Sequence, residues 1–212
     1  MSAPQFDASF RERLAELFRW RRDVRHFRRD PIDTALLQAL VNEASLSPSV
    51  GYSQPWRFVD VRDGARRATA IASFERANAD ALRGMSGADA EKYASLKLSG
   101  MREAPVHLAV FCDAGTQSGK GLGRATMPET LAYSAVMAIY TFWLAARAEG
   151  IGVGWVSIVE PDVITAALDV PPEWRLIAYL CVGRPEDEFA RPELERAGWE
   201  LRDDRAATLY ER

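Results

Sequence analysis

A short cluster of charged side chains in this chain has the composition of an anion-binding site. Three arginines, Arg21, Arg22 and Arg25, and one acid, Asp23, stand within five residues, directly after an amphipathic pattern. A guanidinium group binds phosphate oxygens through two parallel hydrogen bonds, so the cluster predicts a site for a phosphorylated ligand. Because opposite charges favour an ionised carboxylate, we expect a lowered pKa for Asp23. A solvated helix end and a structural ion pair are the alternative interpretations.

The elements around this cluster follow from the apolar periodicity. A first helix carries an apolar stripe at Phe10, Leu14, Leu17 and Phe18 and is capped by Asp7 or Ser9. Further helices are predicted at 33–44, 65–82 and 161–168, and strands at 56–62, 105–112, 151–159 and 175–182. Helices and strands alternate without regular βαβ spacing. The pattern therefore predicts one α+β domain over residues 1–212, with a mixed central sheet flanked by helices.

Four segments need separate interpretations. Residues 83–92 are small and polar, which predicts a mobile flap within a lid at 83–98. The glycines of 113–128 match neither a P-loop nor a dinucleotide-binding motif. Residues 130–146 carry no charge. As a helix they would be about 26 Å long, too short for a bilayer core of roughly 30 Å, so we expect a core helix or one shared with a second subunit. The tail, 184–212, carries scattered large apolar residues and is predicted to lie over another surface, such as a partner subunit.

Composition excludes several classes of protein. Lysine and arginine number 27 against 30 acidic residues, which argues against binding to nucleic acid or a membrane surface. The N-terminal residues lack a secretory pattern, so we expect a cytoplasmic protein. Cys112 and Cys181 stand in apolar strands and are predicted to be buried, reduced thiols. His26 and His107 lack the spacing of metal ligands, so we expect no metal and structural roles for both.

Several motifs together resemble the nitroreductase-like flavoproteins. These are Arg21-Arg22-Asp23-Val24-Arg25, the loop from Pro48-Ser49 to Gln54-Pro55-Trp56, the helix end before Gly150, and Gly152-Val153-Gly154-Trp155. Within this superfamily the chain is most similar to the branch that makes 5,6-dimethylbenzimidazole, the lower ligand of cobalamin. This narrower likeness rests on segments 21–25 (with Asp23), 47–56, 93–98, 123–130 and 154–157. Ordinary nitroreductases usually have serine where Asp23 stands, which is the sharpest difference.

The resemblance implies a reaction in which FMN is a substrate. Reduced FMN and dioxygen enter, the ring system is fragmented, and 5,6-dimethylbenzimidazole and erythrose 4-phosphate leave. A separate flavin reductase would supply the reduced flavin, and the family likeness also implies a homodimer. Asp23 and Ser157 are the implied catalytic residues, Asp23 as a base near the ribityl chain and Ser157 facing the flavin ring and the oxygen. The implied FMN-binding residues are Arg21, Arg22, Arg25, Ser49, Val50, Gly51, Gln54, Leu98 and Arg202, with Arg205 as the alternative to Arg202.

Two other functions compete with this one. An NAD(P)H-dependent nitroreductase or quinone reductase would keep FMN bound and pass hydride to another molecule. The negative charge of Asp23 argues against it, because a fixed anion beside the flavin disfavours an anionic reduced ring. A flavin carrier would bind FMN without consuming it.

Overall fold

Helices and strands alternate along the chain in nearly the order that the sequence predicts. The computed structural model describes residues 3–211, except for the side chain of Asp204. The α-helices in this range are α1 (Ala8–Trp20), α2 (Thr34–Ala44), α3 (Gly64–Arg83), α4 (Gly87–Ser95), α5 (Thr130–Ala148), α6 (Pro161–Leu168) and α7 (Glu193–Arg196). The strands are β1 (Trp56–Asp60), β2 (Val106–Asp113), β3 (Gly152–Val156) and β4 (Trp174–Gly183). The predicted α+β class is confirmed.

The central sheet has the strand order β1-β2-β4-β3, and each of these neighbouring pairs is antiparallel. The prediction of a mixed sheet is therefore wrong for the strands of residues 3–211. Connections that contain helices fit either strand direction, and apolar periodicity carries no information about direction. A single parallel bridge, between Asp23 and Val153, adds the charged cluster to the edge of the sheet at β3.

Helix α5 lies against α2 and the sheet, with eight buried residues that include Ala138, Ile139 and Phe142. With 19 residues it extends two residues beyond the uncharged run, so its length no longer argues against a membrane span and length and composition alone would suit one. Its place in the core confirms the prediction of a core helix. The opposite face leaves large apolar side chains exposed at Tyr133, Val136, Met137 and Tyr140, which is the spacing of one helical stripe. Helix α1 has no buried residue within the described chain.

The segment predicted as a mobile flap is mostly helical, because α3 extends to Arg83 and α4 covers 87–95. Small, polar residues alone do not exclude a helix, because the alanines of this segment have a high helix propensity. Tyr93 of α4 is buried, and its hydroxyl donates to Asn78 Oδ1 at 2.8 Å. A lid function for 83–98 stays a prediction.

The described part of the tail contacts other parts of its own chain. Arg147 of α5 donates to Glu188 at 3.0 Å, and the ring of Trp199 meets Tyr93 edge-on, with centroids 6.0 Å apart. Lys92 donates to the carbonyl of Gly198. Coverage of a partner subunit by the tail stays a prediction, since these contacts account for the region up to Trp199 only.

The histidines and cysteines have structural surroundings. Cys112 and Cys181 are buried and free, as predicted. His26 lies 3.4 Å from Glu193 of the tail. His107 is buried, with Nδ1 3.0 Å from the Tyr179 hydroxyl, and the loss of hydration lowers its pKa to about 4. Within the described part of the chain, no group of three or more His, Cys, Asp and Glu side chains is placed to hold a metal ion.

The buried imidazole of His107 predicts acid sensitivity of folding. An unfolded His107 titrates near 6.5 and the folded one near 4, so its full contribution to stability is present above pH 6.5 and is lost as the pH falls towards 4. The loss amounts to about 3 kcal/mol. Urea unfolding between pH 7.5 and 4.0 should show this decline, and His107→Gln should flatten it. An equally steep decline in the variant would assign the sensitivity to other groups.

Candidate functional site

The charged segment lies along the edge strand β3, because glycine makes room for it. The backbone N–H of Val24 donates to the carbonyl of Val153 at 3.0 Å. A side-chain Cβ at Gly154 would lie only 2.1 Å from the carbonyl oxygen of Val24, so any other residue there would push the segment away. The Gly-x-Gly-Trp motif thus positions the segment that carries Asp23.

Asp23 is held at both carboxylate oxygens. Oδ1 accepts from the backbone N–H of Trp155 at 2.8 Å, and Oδ2 accepts from Arg25 Nε at 2.9 Å. Loss of hydration raises the pKa of Asp23, and the Trp155 N–H and the Arg25 charge only partly oppose it. The expected lowered pKa is therefore wrong, because it counted the charges and not the burial. A third of the side-chain surface, 33%, stays exposed, so the carboxylate keeps an open side.

Arg25 joins Asp23 to the segment that follows α4. Its Nη1 donates to the carbonyl of Lys97 at 3.0 Å, while its Nε holds the carboxylate. The next residue, Leu98, lines a cleft of about 250 Å³ together with Ile71 and Phe74 of α3. Arg25 thus joins Asp23 to the residue before Leu98, but the side chains line different cavities: Asp23 and Arg25 line one of about 420 Å³ that does not include Leu98.

Arg21 has a buried donor without a partner. Its guanidinium lies over the ring of Trp143, 5.0 Å from the ring centroid. Its Nε is buried and makes no hydrogen bond to any residue of the range 3–211. Buried polar groups almost always have partners, so this donor fits a site that an anionic ligand completes. The arrangement suits the phosphate of a group such as FMN.

Arg22 donates hydrogen bonds to backbone carbonyls and also senses the charge of Arg202 in the tail. Its Nε donates to the carbonyl of Ala190 at 2.9 Å, and its other nitrogens donate to the carbonyls of Arg19 and Arg21. Burial lowers its pKa most, followed by the positive charges of Arg21 and Arg202. Arg202 thus adds to the positive field here, whereas the alternative Arg205 forms an ion pair with Asp203 at 3.0 Å. A ligand contact of Arg22 stays a prediction.

The second predicted binding segment, Ser49 to Gln54, lies at the other end of α5. The N–H of Val50 donates to Ser134 Oγ at 3.0 Å, and the N–H of Gln54 donates to Ser49 Oγ at 3.0 Å. Ser134 and Trp143 are nine residues apart, about 14 Å along the helix. The two predicted sets of ligand-binding residues therefore contact different ends of α5.

Gly51 has a conformation that suits glycine. Its φ is +57°, and a Cβ would lie 3.0 Å from the carbonyl oxygens of both Gly119 and Leu122. The close neighbour at this position is thus the glycine-rich loop, which packs onto the segment. Approach of Gly51 to a flavin ring stays a prediction.

Ser157 lies just beyond the end of β3 and is exposed. Ser157 stands two residues after Trp155, whose backbone N–H donates to Asp23. Its role stays a prediction.

Sequence reasoning missed three groups at this site: the ring of Trp143, the carbonyl of Lys97 and the N–H of Trp155. Trp143 stands in an uncharged helix, and the composition of that helix indicates only that Trp143 is a core residue. A backbone carbonyl or N–H has no residue-type signature, so no sequence signal could have pointed to the other two.

Comparison with known proteins agrees with this geometry. The family model described as Nitroreductase family matches residues 18–184, which is most of the chain. The chain belongs to the nitroreductase family. Its match covers the charged segment, the loop at 49–54, α5 and β3, which are the elements that form the candidate site.

Individual relatives are similar over nearly the whole chain. A protein of Rhodospirillum rubrum named 5,6-dimethylbenzimidazole synthase is 60% identical over 95% of both chains. A protein of the same name from Rhodobacter capsulatus is 48% identical over 92% of this chain and 94% of its own. The crystal structure of an oxidised iodotyrosine deiodinase bound to FMN and 3-iodo-L-tyrosine matches with a TM-score of 0.70 and 24% identity, over 83% of this chain and 91% of its own. The structural likeness shows the fold.

Proposed function

We propose that this chain is a 5,6-dimethylbenzimidazole synthase that fragments reduced FMN with dioxygen and releases erythrose 4-phosphate. The observation that carries the proposal is the buried, unpartnered Nε of Arg21 in the same segment as Asp23, whose carboxylate has a third of its side-chain surface exposed. The 60% identity to a synthase of that name supports it. The 5,6-dimethylbenzimidazole would serve as the lower ligand of cobalamin.

The arginines would bind the phosphate and the ribityl chain of FMN. Arg21 has the free donor, and the positive charge of Arg202 acts on the neighbouring Arg22. Arg25 would have a different role, because it already donates to Asp23 and to the carbonyl of Lys97. It would orient the carboxylate of Asp23. Bound FMN would supply the ring system that is oxidised and cleaved.

Asp23 would accept a proton beside the ribityl chain. Its raised pKa makes it a stronger base than an ordinary carboxylate, and its exposed side gives access to a substrate proton. Trp155 and Arg25 fix both oxygens and so fix the direction of the remaining lone pairs. Ser157, on the adjoining segment, would donate a hydrogen bond where dioxygen reacts.

The source of electrons separates this function from that of a nitroreductase. A synthase that uses free reduced FMN requires no nicotinamide site and depends on a separate flavin reductase. The test is to mix the protein with oxidised FMN and NADPH without air and to follow flavin absorbance. We expect the flavin to stay oxidised until a reductase is added. Rapid bleaching by the protein alone would favour the nitroreductase function.

We infer that the protein is a homodimer. Helix α1 has no buried residue within residues 3–211, and α5 exposes Tyr133, Val136, Met137 and Tyr140 in one stripe. Exposed apolar stripes of this kind are typical of an interface with a second copy.

The exposed stripe of α5 predicts the effect of two charges placed on it. The double variant Val136→Glu/Tyr140→Glu should run as a monomer of 23.6 kDa in light scattering after gel filtration, because two buried charges without partners disfavour association. Ala65→Glu/Ala68→Glu on the exposed surface of α3, a helix that contacts α4 and α6, adds the same two charges away from the stripe and serves as the control. A dimeric double variant would place the interface elsewhere.

A further inference from the structure

We propose that Trp143 is a positioning residue that sets the protein's preference for a phosphorylated flavin over an unphosphorylated one, an inference that rests on the proposed function. The indole ring lies under the guanidinium of Arg21, and its Nε1 donates to the carbonyl of Arg22 at 3.3 Å. One side chain of α5 thus contacts both residues at the start of the charged segment.

The ring is the contact that fixes the orientation of Arg21. The Nε of Arg21 has no hydrogen-bond partner within residues 3–211, so no hydrogen bond holds this buried part of the Arg21 side chain. A guanidinium over an indole face is attracted by the ring electrons without needing a hydrogen bond to another side chain. The contact therefore holds Arg21 while its unpartnered Nε stays available to an oxygen atom of a ligand.

Trp143 is itself well fixed. It is 8% exposed, belongs to the main hydrophobic core and stands on α5, which also contacts the sheet. Its Nε1 hydrogen bond adds a direct restraint on the backbone of the charged segment. Movement of the ring would shift the Arg21 side chain and the Arg22 backbone together.

The ligand group that would sense this restraint is the phosphate. A phosphate carries charge and several acceptor oxygens, whereas the corresponding hydroxyl of riboflavin is neutral. Misplacing Arg21 should therefore weaken FMN binding and leave riboflavin binding nearly unchanged. A merely structural tryptophan would affect both flavins equally.

The experiment measures dissociation constants of oxidised FMN and of riboflavin by fluorescence titration of the full chain. We expect the wild type to prefer FMN by at least tenfold. Trp143→Leu should reduce this preference at least fivefold and Trp143→Phe should reduce it less, because phenylalanine keeps a ring face. In Trp143→Leu/Arg21→Gln the preference should fall no further than in Arg21→Gln alone, since both changes act through one contact.

Trp174→Leu is the matched control. Trp174 also lies under an arginine, Arg57 at 5.7 Å, but at another place in the protein, so this variant should keep the FMN preference. Equal weakening of both flavins by Trp143→Leu, or additive effects with Arg21→Gln, would overturn the inference. If Trp143→Leu does not fold, Trp143→Met and Trp143→Phe provide the same comparison, and unchanged preference in both would overturn it. A wild type without preference for FMN would instead contradict the proposed function.

Discussion

Asp23→Asn should lower the rate of 5,6-dimethylbenzimidazole formation by a factor of about 10²–10⁴, the usual contribution of a general base. The amide keeps the shape of the side chain but cannot accept a proton at neutral pH. FMN binding should stay within about tenfold of the wild type, since the phosphate contacts lie on the arginines. The measurement is product formation from chemically reduced FMN in air, followed by chromatography.

The pH dependence of the wild type provides a second readout of Asp23. Because burial raises its pKa above the ordinary 3.8, the rate should fall with acid at a pH higher than an exposed carboxylate would cause. Asp113→Asn is the matched control, because Asp113 also pairs with an arginine, Arg57 at 2.7 Å, outside the charged segment. If Asp23→Asn forms product at the wild-type rate, Asp23 is not the general base.

Arg21→Gln should weaken FMN binding by about tenfold to a hundredfold, because a charge-assisted hydrogen bond contributes about 1.5–3 kcal/mol. The effect on riboflavin should be small, since riboflavin lacks the phosphate. Titration of oxidised FMN at increasing salt should also show a weaker salt dependence in the variant than in the wild type.

Arg28→Gln is a suitable comparison for Arg21→Gln. Arg28 is exposed, pairs with Asp30 at 2.7 Å and follows the charged segment, so its loss should leave both flavins bound as before. Equal FMN affinity of Arg21→Gln and the wild type would mean that the buried Nε serves another purpose.

The sequence predicted the elements of the fold better than their arrangement. The Asp7 cap of α1, the end of α2 at Ala44 and the bounds of α6 all agree with the structure. These features depend on local spacing and capping. The strand directions and the helical character of 87–95 were missed, since the first depends on distant pairing and the second on weak local preferences.

The candidate site was predictable in its residue types and less so in its electrostatics. The charged segment could be found because arginines and an acid at close spacing are visible in the sequence. The raised pKa of Asp23 could not be found, because it depends on how many protein atoms replace water around the carboxylate. The contact of Arg21 with Trp143 joins residues 122 positions apart, and no local pattern connects them.

The most direct test of the proposed function is to incubate the purified protein with chemically reduced FMN in air and to identify the products by mass spectrometry. We expect 5,6-dimethylbenzimidazole to accumulate as FMN disappears, and to be absent in matched reactions without oxygen. Complete recovery of FMN as the oxidised flavin, with no benzimidazole formed, would contradict the account.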